Sequence, residues 1–149
     1  MIRKMQETDI EVLAGIWLRT NLQAHHFIPE SYWTQHVEAV KTMFSGAELY
    51  VCEEEGQLLG FIGLDGDYIA GLFVRSGAQS RGIGRQLLSF VKERKDQLSL
   101  SVYEKNARAV RFYQREGFAL QGADSDKDTG EKEYRMIWRG RRGRYGQQI

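Results

Sequence analysis

The sequence predicts an α/β domain of the α+β kind, with about seven strands in a mixed, mostly antiparallel sheet and four helices. The expected order is β-α-α-β-β-β-α-β-α-β-β. Three observations carry this reading: two amphipathic helical stripes open the chain, three apolar runs joined by tight turns follow, and helix and strand then alternate. At 149 residues, the chain has room for one domain and one substantial core. Its composition, 42% hydrophobic and 28% charged with 16 Gly but a single Pro, excludes collagen-like, Pro-rich and disordered classes.

Residues 2–5 alternate in type like a short strand. Thr8 and Asp9 then offer capping oxygens ahead of Ile10, Leu13, Ala14, Trp17 and Leu18, whose spacing marks one face of a helix. The stretch AHHFIPES interrupts it, and Trp33, Val37, Val40 and Phe44 resume a stripe expected from about Ser31 to Gly46. ELYVCEE, QLLGFIGL and DYIAGLFV read as an antiparallel meander, turning at Glu55-Gly56 and at Asp65-Gly66-Asp67. The loop RSGAQSRG leads to Ile83, Leu87, Leu88 and Val91, a helix expected to reach about Lys95, and LSLSVY follows as a strand. Asn106 can cap a fourth helix through Glu116, Gly117 is placed to end it, and FALQG and EKEYRMIW close the sheet. The domain is expected over 1–138, with 139–149 as a basic tail.

No apolar run approaches the roughly 18–20 residues that span a bilayer, and MIRKMQETDI lacks the apolar stretch of a signal peptide, so a cytoplasmic protein without membrane partners is expected. One cysteine, Cys52, and the histidines His25, His26 and His36 give no zinc spacing, so no metal is expected. The formal charge of +1 becomes −3 once Arg139, Arg141, Arg142 and Arg144 are set aside. A mildly acidic body argues against nucleic-acid binding, except through the arginine-rich end, which reads either as a basic arm or as a fraying terminus.

The segment QSRGIG, residues 79–84, lies where a strand passes into a helix. The first N–H groups of a helix lack internal partners, and the helix dipole places positive charge there, so an anion fits. Gly82 and Gly84 leave the backbone open to a phosphate, and Gln79, Arg81 and Arg85 surround it with polar or cationic groups. The alternative is a glycine-rich turn with no ligand. GxxxxGK[ST] is absent, GxGxxG fails at Leu87, and the loop follows an antiparallel meander, which together disfavour a P-loop or dinucleotide fold.

These residues resemble the GNAT superfamily of acetyl-CoA-dependent N-acetyltransferases. Its pattern near the cofactor is a strand ending in an apolar residue, then [RQ]xxGx[GA] opening a helix; Val74 and Gln79-Ser80-Arg81-Gly82-Ile83-Gly84 match it. A second pattern, an Asn that begins a helix and an aromatic-Tyr pair shortly before Gly-Phe, is matched by SVYEKNARAVRFYQREGF. HHFIPESYW, EEEGQLLGFIGL and the second motif are similar to small bacterial members of the YiaC and YjaB type. The resemblance spans roughly Ile2 to Trp138.

It implies a GNAT fold in which acetyl-CoA lies between two splayed strands, here residues 68–74 and 98–103, with its diphosphate on the amides of Arg81 to Arg85 and Ser80 also binding the cofactor. Backbone groups at Leu72, Phe73 and Val74 would polarise the thioester. Tyr113 is implied as the acid that protonates the leaving sulfur; by spacing alone it would be a core tyrosine. Asn106 would add a pantetheine contact to its cap, and Phe112 would pack near the cofactor. Gly71 suits either close backbone approach or a bulge.

An amine acceptor with a pKa near 10.4 is about one part in two to three thousand neutral at pH 7, so a base is required. Relatives that place a carboxylate before the Asn find Ser101 here. Glu104, Asp65, Asp67, His25 and His26 remain, Glu104 and His25 being the foremost candidates beside a water chain. The acceptor implied is an amine, either a protein lysine or a small molecule such as a polyamine, aminoglycoside or amino acid. Trp17, Tyr32, Trp33 and Tyr68 are candidates for an aromatic slot, and Trp17 and Trp33 equally for core. A non-catalytic acyl-CoA-binding module is the alternative in another class. Nothing in the sequence selects an oligomeric state.

Overall fold

The computed structural model describes residues 1–140. The elements are β1 (Ile2–Lys4), α1 (Ile10–Ala24), α2 (Glu30–Phe44), β2 (Glu48–Glu54), β3 (Gln57–Asp65), β4 (Tyr68–Val74), α3 (Ile83–Lys92), β5 (Gln97–Tyr103), α4 (Ala107–Arg115), β6 (Ala119–Ser125) and β7 (Lys132–Arg139). This is the expected order. The strands form one sheet, β1-β2-β3-β4-β5-β7-β6, antiparallel throughout except where β4 meets β5.

The helices cover both faces. On one side, Ile83, Leu87, Leu88 and Val91 of α3 and Tyr113 of α4 pack on Ile62, Leu98, Leu100 and Met136; on the other, Leu13, Ile16, Val40 and Phe44 of α1 and α2 pack on Leu49, Val51 and Phe61. β3 lies between the two cores and is buried from Leu58 to Leu64. Its unbroken apolar run QLLGFIGL, in place of an alternating one, is therefore what two covered faces require.

Several local features differ from expectation. Asp9 does not cap α1 through its side chain. Its carboxylate accepts the Gln6 N–H at 2.8 Å and the Arg3 guanidinium at 2.9 Å, closing a short 3-10 turn at Glu7–Asp9. α3 stops at Lys92, because the apolar stripe that holds it to the sheet ends at Val91. Arg139 belongs to β7, pairing with Gln97, so the basic tail cannot start there; Arg141, Arg142 and Arg144 lie outside the described residues.

The feature that creates a site is the β4–β5 pair. These strands pair only at Tyr68↔Ser99 and Ile69↔Leu100 and then separate. The β3–β4 ladder steps from Gly63↔Gly71 to Leu64↔Ile69, leaving Ala70 as an extra residue that bends β4 at the point of divergence. Gly71 has its own steric reason: a Cβ there would lie 2.3 Å from the Phe73 ring. Among the described residues, no helix is long and apolar enough to cross a membrane.

Candidate active site

Where β4 and β5 part, a cleft of about 800 Å³ runs between the N-termini of α3 and α4 and past the C-terminal end of α1. At one end lies the loop before α3. Ser80 and Gly82 both have positive φ, +69 and +79. For a serine this conformation costs on the order of 1 kcal/mol, strain of the kind held at ligand sites. Gln86 N–H makes the first intrahelical bond, to Gly82 O at 3.0 Å, and no side chain caps the helix. The amides of Ile83, Gly84 and Arg85 thus have no partner among the described residues. The Phe112 ring of α4 lies beside Gly84, with Cζ 3.6 Å from where a Cβ would be.

The cations are arranged differently from the sequence expectation. Arg85 lines the cleft. Arg81 does not; it pairs with Glu54 at 2.9 Å and is directed toward β2. Arg108, on the first turn of α4, reaches Gln79 Oε1 at 3.3 Å, while Gln79 Nε2 donates to Val74 O at 3.0 Å. Gln79 therefore ties the end of β4 to α4. With Lys105 and Arg115, the cleft carries four cations against one carboxylate, Glu116. Arg108, Lys105 and Arg115 escaped the sequence reading, although KNARAVRFYQR places them at i, i+3 and i+10, the phase that also brings Phe112 into the cleft.

In the middle of the cleft is the edge of β4. Arg75 N–H donates to Leu59 O at 2.8 Å, so alternation along an antiparallel ladder sends the Phe73 N–H toward β3 and those of Leu72 and Val74 into the gap. Of the three amides expected there, Leu72 and Val74 face the opening, whereas Phe73 turns its N–H to β3 and packs its ring on Phe61. Facing them, Tyr113 is 8% exposed, lies edge-on to Phe112 and Phe118 and has a hydroxyl with no hydrogen-bond partner among the described residues. Burial raises its pKa far above the ordinary phenol range, so the proton stays on. Asn106 caps α4 as expected, its Oδ1 accepting Ala109 N–H at 3.2 Å.

Neither candidate base is placed for that role. Glu104 accepts from Tyr134 Oη at 2.8 Å and pairs with Lys132 at 3.1 Å, contacts that lower its pKa, and it is not part of the cleft wall. His25 is held in the protein: Nδ1 lies 3.0 Å from Asn21 Oδ1, Nε2 lies 3.2 Å from Asn106 Nδ2, and the ring stacks on Trp33 at 5.5 Å. Burial lowers its pKa to about 4. Its neighbour His26, exposed, is the histidine that lines the cleft. Trp33 is core, and Trp17 lies edge-on to it at 5.7 Å. Tyr32 and Tyr103 donate to Asp128 and Asp126, at 3.4 and 2.6 Å, beside the α1–α2 loop. Among the described residues, no group of three or more His, Cys, Asp or Glu is arranged to hold a metal ion.

A sheet opened between its fourth and fifth strands, with unpartnered helix amides at one end of the gap and a buried phenol across it, defines an acyltransferase of the GNAT class. The chain belongs to that family: residues 19–137 match the acetyltransferase (GNAT) domain model. It is 34% identical over 140 residues to peptidyl-lysine N-acetyltransferase YiaC of Escherichia coli strain K12, covering 93% of this chain and 96% of the relative. It is 30% identical over 131 residues to peptidyl-lysine N-acetyltransferase YjaB of the same strain, covering 87% and 89%. The solution structure of apo-form YjaB superimposes with a TM-score of 0.84 at 28% identity, over 94% of this chain and 97% of that one. A PaiA N-acetyltransferase from Thermoplasma acidophilum, solved in complex with coenzyme A, shares the fold at a TM-score of 0.77 and 19% identity, over 93% and 98%.

Proposed function

We propose that this N-acetyltransferase uses acetyl-CoA to acetylate protein lysines directly, without an acetylated enzyme residue. The observation that carries the reading is the gap itself, with the Leu72 and Val74 amides on one wall and the free Tyr113 hydroxyl on the other. When bound, acetyl-CoA supplies an activated acetyl thioester. The amides of Ile83, Gly84 and Arg85 would hold its diphosphate, aided by Ser80, Arg85 and Arg108. The net cationic wall suits a polyanion, and the unpaired edge of β4 can accept an extended amide-bearing arm as it would a strand.

Leu72 and Val74 N–H would polarise the thioester carbonyl. Tyr113 keeps its proton at every physiological pH and can give it to the departing sulfur. With Glu104 and His25 engaged elsewhere, His26 is the side chain suited to take the proton of the acceptor ammonium, directly or through water. Lysine as acceptor rests on the names of the two relatives; the Tyr32, Asp126 and Asp128 group beside the α1–α2 loop supplies negative charge for a cation. A cytoplasmic setting belongs to the same proposal.

The test is a thiol-release assay with acetyl-CoA against lysine peptides, polyamines, aminoglycosides and amino acids. Turnover greatest with lysine peptides is expected. Turnover confined to small amines overturns the lysine acceptor, and acetyl-CoA binding without thiol release across the panel overturns catalysis.

A further inference from the structure

We infer that His25 is a positioning residue: through a one-way chain of hydrogen bonds from α1 it fixes the orientation of the Asn106 amide, and with it the first turn of the helix that carries Tyr113. This deepens the function proposed above and rests on it.

The chain's direction follows from its fixed ends. Asn21 is 4% exposed, and its Nδ2 donates to the Trp17 carbonyl at 2.9 Å, a contact only an N–H can make. Its Oδ1 is therefore the atom that meets His25, 3.0 Å from Nδ1, and an oxygen acceptor requires Nδ1 to carry the hydrogen. In a neutral imidazole Nε2 must then be an acceptor. It lies 3.2 Å from Asn106 Nδ2, which supplies the hydrogen. The same amide's Oδ1 accepts Ala109 N–H at 3.2 Å. Turning Asn106 over would set oxygen against the bare Nε2 and N–H against N–H at the helix cap, so each link enforces the next.

Asn106 and His25 are 81 residues apart in sequence, and the link joins the C-terminal end of α1 to the start of α4. One Asn106 N–H is used by His25; the second remains for a ligand in the cleft, which Asn106 lines. The imidazole is itself immobilised. It stacks on Trp33 and meets Tyr103 and Phe27 edge-on, at 5.0 and 5.6 Å. An ordinary packing residue would need this cage but no particular tautomer.

Two measurements test the chain. In long-range 1H–15N spectra of the native protein at neutral pH, His25 should appear as the Nδ1–H tautomer, the less common form of a free imidazole; an Nε2–H tautomer or a mixture overturns the proposal and needs no variant. Calorimetry with acetyl-CoA should show affinity falling about tenfold in His25→Ala, the effect of one lost buried hydrogen bond. His25→Gln, which can both donate to Asn21 and accept from Asn106, should recover most of it. Equal affinity in all three proteins, or equal loss in both variants, overturns the role. Absence of acetyl-CoA binding by the native protein defeats the functional reading and the role with it, whereas a wrong tautomer with intact binding defeats the chain alone.

Discussion

Replacing Tyr113 with Phe separates chemistry from packing unusually well here. The hydroxyl makes no hydrogen bond within the described protein, and the ring is wedged between Phe112 and Phe118. The variant keeps the ring and every apolar contact. An unpartnered buried hydroxyl costs roughly 1–3 kcal/mol of desolvation. Because this one borders an open cleft, deleting it should be neutral or stabilising by at most about 1 kcal/mol, or about 2–4 °C in Tm for a domain of this size. Loss of a general acid removes about 10²–10⁴ from kcat. Thermal unfolding, acetyl-CoA calorimetry and steady-state thiol release on the same preparation should show unchanged or slightly raised Tm, affinity within about twofold, and kcat lower by at least about a hundredfold. Since burial keeps the phenol protonated, deprotonation of Tyr113 should cause no loss of kcat up to pH 10. A kcat within threefold of native would refute the acid role, and a lower Tm would show that the hydroxyl has a partner the account lacks.

Arg108→Ser should weaken acetyl-CoA binding several-fold at low salt and less at high salt, whereas Arg81→Ser, whose side chain is committed to Glu54, should change it less than twofold; paired calorimetry compares them. Glu104→Gln should leave kcat within about twofold of native, which a steady-state assay checks, because a carboxylate outside the cleft takes no proton from the acceptor. His25, with its pKa lowered from 6.5 to about 4 in the fold, binds a proton more readily when unfolded. Its contribution to stability is therefore complete above pH 6.5 and lost as pH falls toward 4. Urea unfolding should show native stability dropping by about 2 kcal/mol more than that of His25→Gln over this range.

The elements were legible because each carries its own period. The stripe Ile83, Leu87, Leu88, Val91 is wholly buried, and the unbroken run of β3 is explained by covered faces on both sides. Tight turns were equally clear: Glu55 and Gly56 adopt φ of +52 and +77, as a two-residue hairpin demands. The anion cradle was readable for a similar reason, since unpartnered amides at a helix start follow from local geometry alone. What sequence could not supply is direction across long separations. Arg81 sits in the cradle loop, yet Glu54, 27 residues away, draws its side chain out of the cleft. Glu104 adjoins the Asn motif, but β7 offers it Tyr134 and Lys132. His25 is one of two adjacent histidines in the sequence, and only the fold sets Asn21 and Asn106 on either side of it.

On the proposed function, the main-chain amides at the start of α3 and along the open edge of β4 hold acetyl-CoA. Amide-resolved 1H–15N spectra recorded through a titration with acetyl-CoA test it most directly. The largest shifts should fall on Ile83, Gly84, Arg85, Leu72 and Val74; saturating acetyl-CoA that leaves those five signals in place would rule this binding mode out.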